Sequence, residues 1–325
     1  MAAITFEETG EYTLYIGIDV GGTNLKAGLV DESGTILAVE RTPLDFQGPE
    51  HFAEVLASLA KAVMAADGVT AKDVEYVGAG IPGAVRGGDI LYTANIPMKN
   101  VPLEKLFRQH LDLPVLLGND ADCAAVGEWT CGVGKGTRHF LVVTLGTGVG
   151  GGMILNGKLY SGCGAGGEVG HILVEKDGVP CNCGRRGCWE AYASATGLIR
   201  MTKEAMEVHP DSLLHAVAAQ NGAVDGRTPF QAAEQGDETA LAVCRTYAEY
   251  LAAGLTDLVN ILHPEAVALG GGVAAAPEQL LLEPVREIVA RECYARHVDQ
   301  VPRILRAEMG NDAGIIGAAL LGRAI

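Results

Sequence analysis

Three thiols fall close together in the stretch Cys-Asn-Cys-Gly-Arg-Arg-Gly-Cys, residues 181 to 188, and His171 precedes them across a short polar loop. Cys181, Cys183, Cys188 and His171 are donors of the kind that tetrahedral zinc takes. Four protein ligands leave no position open for water or substrate, so the expected metal is structural. Free thiols packed so tightly on a surface would be prone to oxidation. Cys123, Cys131, Cys163, Cys244 and Cys293 are scattered in apolar or glycine-rich surroundings and read as small buried hydrophobes. Asp120 offers a different chemistry. It follows Asn119 where an apolar run ends and a helical pattern begins, and helix-start amides favour an ionised carboxylate. Such an aspartate is either an N-cap or a base. Asp122 reads as a helix-surface residue.

Three glycine turns supply the other candidate chemistry: DVGGTN at 19–24, LGTGVGGG at 145–152 and LGGGV at 269–273. Successive backbone N–H groups converge on an anion only where no Cβ blocks its approach. Gly21, Gly22, Gly146, Gly148, Gly271 and Gly272 meet that need. The side chains of Thr23, Asn24 and Thr147 add polar groups, and Asp19 at a strand end can hold a hydrated metal ion beside phosphates. No turn matches the P-loop, because its lysine–Ser/Thr pair is missing and a strand follows instead of a helix. The dinucleotide-like spacing in GTGVGG lacks the helix and acidic residue that would support it. Together the turns suggest cradles for the two ends of a phosphate chain and for a nucleoside.

The elements that must position these residues alternate between the two kinds of periodicity. Residues 15–44 read as strand, glycine turn, strand, turn at Asp31–Gly34, strand; residues 50–66 read as a helix. Further strands run into the Gly-Ile-Pro-Gly loop ending at Gly83 and into Asn119. Residues 139–160 repeat the opening plan, with a second turn at Asn156-Gly157. Residues 190–206 and 238–262 carry helical patterns, the second stopping at His263-Pro264, and the C-terminal segment from Asn311 reads as an apolar helix. Two such units imply an α/β protein of two related halves across a cleft. The expected division is 1–118 plus 305–325 against 119–304.

Composition narrows the partners. A formal net charge of −16 over 325 residues repels nucleic acid and anionic lipid. No basic-then-apolar leader and no long apolar run is present, so a cytoplasmic, reducing setting is expected, in which thiols favour metal over disulfide.

The set of motifs resembles the actin-like ATPase superfamily, and within it the ROK family of sugar kinases, most closely its bacterial glucokinases. DVGGTN, LGTGVGGG and LGGGV resemble that family's two phosphate turns and its adenosine-side turn. NDAD, EVGH, CNCGRRGCWE and GNDAGIIGAALLG resemble its other signatures, from about residue 14 to the C-terminus. The resemblance implies two actin-like (ribonuclease-H-like) lobes, the larger one carrying a zinc-stabilised loop. It implies Gly83, Asn95, Asn119, Glu168, His171 and Glu190 as sugar ligands, Asp120 as catalytic base, and ATP with Mg2+ as donor. It also implies a homodimer. Departures at NIPMKNVPL and at Cys163 fall near the implied sugar site and bear on strict glucose preference.

The implied reaction is phosphorylation of glucose to glucose 6-phosphate. Kinases of other hexoses or N-acetylated aminosugars, and a polyphosphate-using variant, are its near alternatives. A sugar-sensing ROK repressor would need a DNA-binding segment ahead of Tyr15, where only a short acidic stretch stands. A phosphohydrolase of the same superfamily would put water where the sugar hydroxyl sits.

Overall fold

The computed structural model describes residues 13–93 and 95–325. The chain opens as an antiparallel meander of β1 (Leu14–Val20), β2 (Asn24–Asp31) and β3 (Ile36–Pro43). The β2–β3 turn is closed by the Asp31 carboxylate, which accepts the N–H groups of Ser33 and Thr35. Helix α1 (Pro49–Ala66) buries Phe52, Leu56, Leu59 and Val63, spaced along one helical face, and returns the chain to β4 (Val74–Ile81) parallel to β1. A small antiparallel sheet of β5 (Gly83–Arg86), β6 (Asp89–Thr93) and β7 (Lys99–Val101) follows, then the short α2 (Leu103–Phe107). β8 (Val115–Asn119) completes the first sheet, ordered β3-β2-β1-β4-β8, and runs without a loop into α3 (Asp120–Thr130).

The plan then repeats. β9 (Phe140–Leu145), β10 (Val149–Leu155) and β11 (Lys158–Leu159) form a second meander. Its hairpin is turned by Asn156 and Gly157, at φ 56° and 75°, the left-handed pair a tight primed turn requires. Helices α4 (Glu190–Ala193), α5 (Ala195–Val208), α6 (Leu214–Asn221), α7 (Thr228–Glu234) and α8 (Glu238–Leu262) come next. β12 (Ala266–Gly270), α9 (Leu282–Glu292) and β13 (Arg303–Arg306) complete a second sheet ordered β11-β10-β9-β12-β13. Both sheets share one scheme, two antiparallel pairings followed by two parallel ones, although the halves show little likeness in sequence.

Two expectations change. The helix expected over 190–206 is broken at Ser194, which is buried in extended geometry while its hydroxyl accepts the Gly197 N–H at 3.0 Å. Ser194 is an N-cap inside what periodicity alone reads as one helix. Leu305 and Arg306 lie in β13 of the second sheet, so the chain crosses back toward the first sheet only after them. By contrast, α8 ends where expected, with His263 left-handed at φ 43° before Pro264.

Each sheet has its own apolar cluster, one around Ile16, Ile18, Phe52 and Val77, the other around Val143, Trp189, Tyr247 and Leu269. A third cluster joins them. It is built from Cys123, Ala125 and Val126 of α3, from Ile315, Ile316 and Ala318 of α10 (Ala313–Ala319), and from Phe140, Val142 and Ile154 of the second meander. The two helices cross with their backbones in contact: a methyl at Gly317 would collide with the Cys123 carbonyl, and one at Gly127 would stand 2.7 Å from the Ala313 carbonyl oxygen. Similarly, Gly17 of β1 and Gly78 of β4 leave no room for a side chain beneath α10. No described helix is long and apolar enough to cross a membrane.

Gly317→Ala must push these backbones apart, and overpacking of this kind costs about 3 kcal/mol. Urea denaturation is expected to show that loss as a lower midpoint at unchanged slope; a midpoint equal to that of the native protein would contradict the contact.

Candidate active site

The parallel strands β1, β4 and β8 end side by side, with Asp19 in register with Gly80 and Ile81 with Asn119. Their carboxyl ends therefore deliver Asp19, Asn119 and Asp120 to one edge, the usual place for ligands in open α/β sheets. Asn119 is the N-cap of α3: its Oδ1 accepts the Ala121 N–H at 2.8 Å, and its Nδ2 donates to the Gly83 carbonyl at 3.1 Å. This joins two of the expected sugar-site residues directly. Asn95 is exposed in the loop that follows β6.

Asp120 is open to solvent yet ringed by protein and by other carboxyls. Burial raises its pKa; the Ala121 N–H opposes this, and Asp19 adds to the rise. The helix-start amides expected to favour its ionised form are present but outweighed. Asp19 is raised too, by burial, while Lys26 pulls the other way from its place directly across the β1–β2 ladder. The glycine motif alone gave no reason to single out Lys26; strand register does.

Asp122 overturns its expected place on the helix surface. It is 2% exposed, and its Oδ1 has no partner among the described residues. The cause lies in helix capping. As the third residue of α3 it lies back toward the Asn119 N–H, which opposes the rise in its pKa, while the Asn119 side chain caps the helix through the Ala121 N–H. Burial, reinforced by Asp120, pushes its carboxyl up to about 7.

The thiol cluster forms as expected. His171, Cys181, Cys183 and Cys188 bring one ligand atom each to within 4.8 Å of one another. The Cys183–Cys188 sulfur separation is 3.6 Å, close to the roughly 3.7 Å edge of a tetrahedron with zinc–sulfur bonds of about 2.3 Å. The loop is shaped by Gly184 and Gly187, both left-handed, and by Arg185, whose Nη1 donates to the His171 carbonyl. Burial pushes the Cys188 thiol up to about 12, so an ionised thiolate there needs a cation. Of the other cysteines, Cys123, Cys244 and Cys293 are buried as expected; Cys131 is half-buried, and Cys163 is exposed in a glycine loop that must reach the solvent.

The imidazole joins this cluster to the carboxylates. His171 Nδ1 lies 3.7 Å from Cys181 Sγ, and Nε2 lies 3.9 Å from Glu168 Oε2. Glu190 does the same on the other side: Oε1 is 3.8 Å from Cys181 Sγ and Oε2 accepts the Val149 N–H at 3.0 Å.

The glycine turns divide into glycines the fold needs and glycines it does not. Gly271 is left-handed at φ 83° and pressed on the Leu145 backbone, Gly148 faces the Glu190 carboxylate, and Gly21 abuts the Asn24 carbonyl. Gly22, Gly146 and Gly272 are different. Among the described glycines they alone combine φ outside the left-handed region with open space where a Cβ would stand, and each turn has one. Neither backbone conformation nor packing demands glycine there, which leaves access as the reason. The N–H groups of Gly22, Thr23, Thr147, Gly148, Gly271 and Gly272 have no protein acceptor among the described residues. Thr23 and Asn24 are exposed beside them, bonded to each other at 3.0 Å.

Paired sheets with acceptor-free glycine turns define an α/β ligand-binding protein, and the comparisons say which. A family model described as "ROK family" matches residues 15–325, and the chain belongs to that family. It is 36% identical over 316 residues to the glucokinase of Streptomyces coelicolor, covering 95% of this chain and 98% of that one. It is 34% identical over 315 residues to the N-acetylmannosamine kinase of Escherichia coli, with 95% and 98% covered. The crystal structure of a ROK family glucokinase from Streptomyces griseus in complex with glucose and AMPPNP matches with a TM-score of 0.78 at 36% identity, covering 95% of this chain and 98% of that one.

The buried Asp122 carboxyl makes stability depend on pH. Its pKa is raised by folding to about 7, so its contribution is fully present below the unfolded value near pH 4, is lost as pH rises to about 7, and is constant above. Asp122→Asn keeps the shape without the charge and is expected to gain about 2–4 kcal/mol on the native protein between pH 4 and pH 8. Denaturation midpoints at both pH values measure it; a gap that does not widen with pH would refute the shift.

Proposed function

We propose that this protein is an ATP- and Mg2+-dependent hexose kinase that converts glucose to glucose 6-phosphate. The observation that carries the reading is the set of three glycines, Gly22, Gly146 and Gly272, that the fold itself does not require. A phosphate chain and a nucleoside passing close to the backbone explain glycine at each of them.

In this reading the lobes are 1–118 with the returning C-terminal helix, and the segment between them. The N–H groups of Gly22 and Thr23 and those of Thr147 and Gly148 hold the phosphates, and the turn at Gly271–Gly272 faces the nucleoside. Asp19, raised by burial beside Asp120, suits a cation's hydration shell. Mg2+, when bound, neutralises charge building on the transferring phosphoryl group. Glu168, His171, Glu190, Asn95 and Asn119, with the Gly83 backbone, surround the hexose hydroxyls. Asp120 accepts the proton of the attacking hydroxyl as its oxygen bonds to the γ-phosphorus and ADP leaves. The raised pKa of Asp120 makes it a better proton acceptor than an ordinary carboxylate once ionised.

The four-ligand cluster fits zinc in donor type and spacing. Zinc held there by His171, Cys181, Cys183 and Cys188 would close the loop and orient His171, whose second nitrogen faces Glu168. We read the setting as a reducing cytoplasm, in which the thiols of this cluster stay available to a metal. The likeness to N-acetylmannosamine kinases keeps an N-acetylated aminosugar as the second substrate reading.

A coupled assay across glucose, other hexoses and N-acetylmannosamine, with ATP or polyphosphate as donor, tests the function. Turnover of glucose with ATP is expected; no turnover of any sugar would overturn the reading. In the same assay Asp120→Asn should lower kcat by about 10²- to 10⁴-fold while glucose still binds, and retained turnover would exclude Asp120 as the base. Emission spectrometry of the purified protein should find about one zinc per chain, lost in Cys183→Ser; a zinc-free native protein would exclude the structural metal.

A further inference from the structure

The second glycine turn is gripped from behind by the segment that leaves the thiol loop. The Ala195 N–H donates to the Gly146 carbonyl at 2.8 Å, and Thr196 Oγ1 donates to the Thr147 carbonyl at 2.8 Å. Glu190 Oε2 takes the Val149 N–H at 3.0 Å, and within the turn the Gly146 N–H bonds to the Gly148 carbonyl at 3.0 Å.

Peptide planarity turns these contacts into an aiming device. In a trans peptide unit the C=O of one residue and the N–H of the next share a plane and point in opposite directions. Pinning the Gly146 carbonyl to Ala195 therefore fixes the direction of the Thr147 N–H. Pinning the Thr147 carbonyl to Thr196 fixes the Gly148 N–H. These are the two N–H groups of the turn without a protein acceptor among the described residues.

The gripping segment is itself anchored in the core. Trp189 is fully buried, with Gly254 against its indole and its Nε1 donating to the Tyr250 carbonyl. The Tyr247 hydroxyl holds the Ala193 carbonyl, and Ser194 is the buried cap that restarts the helix, so that Ala195 and Thr196 present free donors in its first turn. The chain break at Ser194 thus has a use: an unbroken helix would have spent the Ala195 N–H within itself.

We propose that Thr196 is a positioning residue for nucleotide binding, its hydroxyl holding the Thr147–Gly148 peptide plane so that the Gly148 N–H faces the phosphate chain. The inference rests on the nucleotide reading of the glycine turns. Thr196→Val keeps the branched shape and removes the donor; Thr196→Ser keeps the donor.

Titration of the full-length protein with Mg2+ and a non-hydrolysable ATP analogue, and separately with glucose, tests it alongside steady-state kinetics. Thr196→Val is expected to raise the nucleotide Kd and the KM for ATP by about five- to tenfold, with kcat and the glucose Kd held within about twofold. Thr196→Ser should restore nucleotide affinity to within about twofold of the native value. Amide exchange at residues 146–149 of the ligand-free Val variant should be faster than in the native protein, which separates aiming of the turn from a direct contact with nucleotide. Unchanged nucleotide affinity in Thr196→Val, a Ser variant as impaired as the Val one, or unchanged exchange would each overturn this inference alone. A native protein that binds no nucleotide would overturn it together with the kinase reading.

Discussion

The active-site edge depends on two helices being allowed to touch backbone to backbone. α3 begins with Asp120, and α10 lies against both α3 and β1, the strand that carries Asp19 near its end. At Gly317 and Gly127 the crossing admits no side chain, and at Gly314 a Cβ would stand 2.9 Å from the Asp19 carboxyl carbon. Were the helices a side chain further apart, Asp19 and Asp120 would separate and the apolar cluster joining the sheets would open. Close-packed interiors transmit such displacements instead of absorbing them. Glycine in this region therefore serves geometry as directly as the aspartates serve chemistry.

That closeness has an electrostatic consequence. Asp19 and Asp120 are raised by burial and Asp120 further by Asp19, while Asp122 is buried with one oxygen unpartnered among the described residues. An arrangement of carboxyls so placed lowers its free energy by holding a proton or a cation. Lys26 supplies part of that compensation to Asp19. The rest is what a metal–nucleotide complex would bring in the proposed reaction. The same acidic setting that disfavours folding at neutral pH would favour binding of such a complex.

The thiol loop reaches the same place by another route. Cys181 lies between His171 and Glu190, His171 faces Glu168, and Glu190 holds the Val149 N–H of the second glycine turn. A structural metal there would act on substrate groups through two carboxylates without touching substrate. The same strand of chain continues through the buried Trp189 and Ser194 into the donors that hold the turn from behind. Thiol loop, the Glu168 and Glu190 carboxylates and the second glycine turn are in this sense linked by a continuous set of contacts.

Much of this was legible in the chain itself. The convergence of Cys181, Cys183, Cys188 and His171 was legible because thiols and an imidazole at short spacing are the donor set that one tetrahedral ion gathers, and their ligand atoms do come within 4.8 Å of one another. The three glycine turns, the Asn156-Gly157 hairpin and the stop of α8 at His263 are local events, governed by φ angles that particular residues favour, so sequence determines them directly. Three things were decided only by the tertiary structure. Periodicity could not see that Asp122 turns inward, because burial depends on what packs against the helix. Nor could it see the break at Ser194, because one capping hydrogen bond competes with continued helix and the surrounding core settles the outcome. Finally, composition cannot separate Gly22, Gly146 and Gly272 from glycines that serve turns or packing. That distinction lies in the empty space beside each one, and space exists only once distant segments have come together.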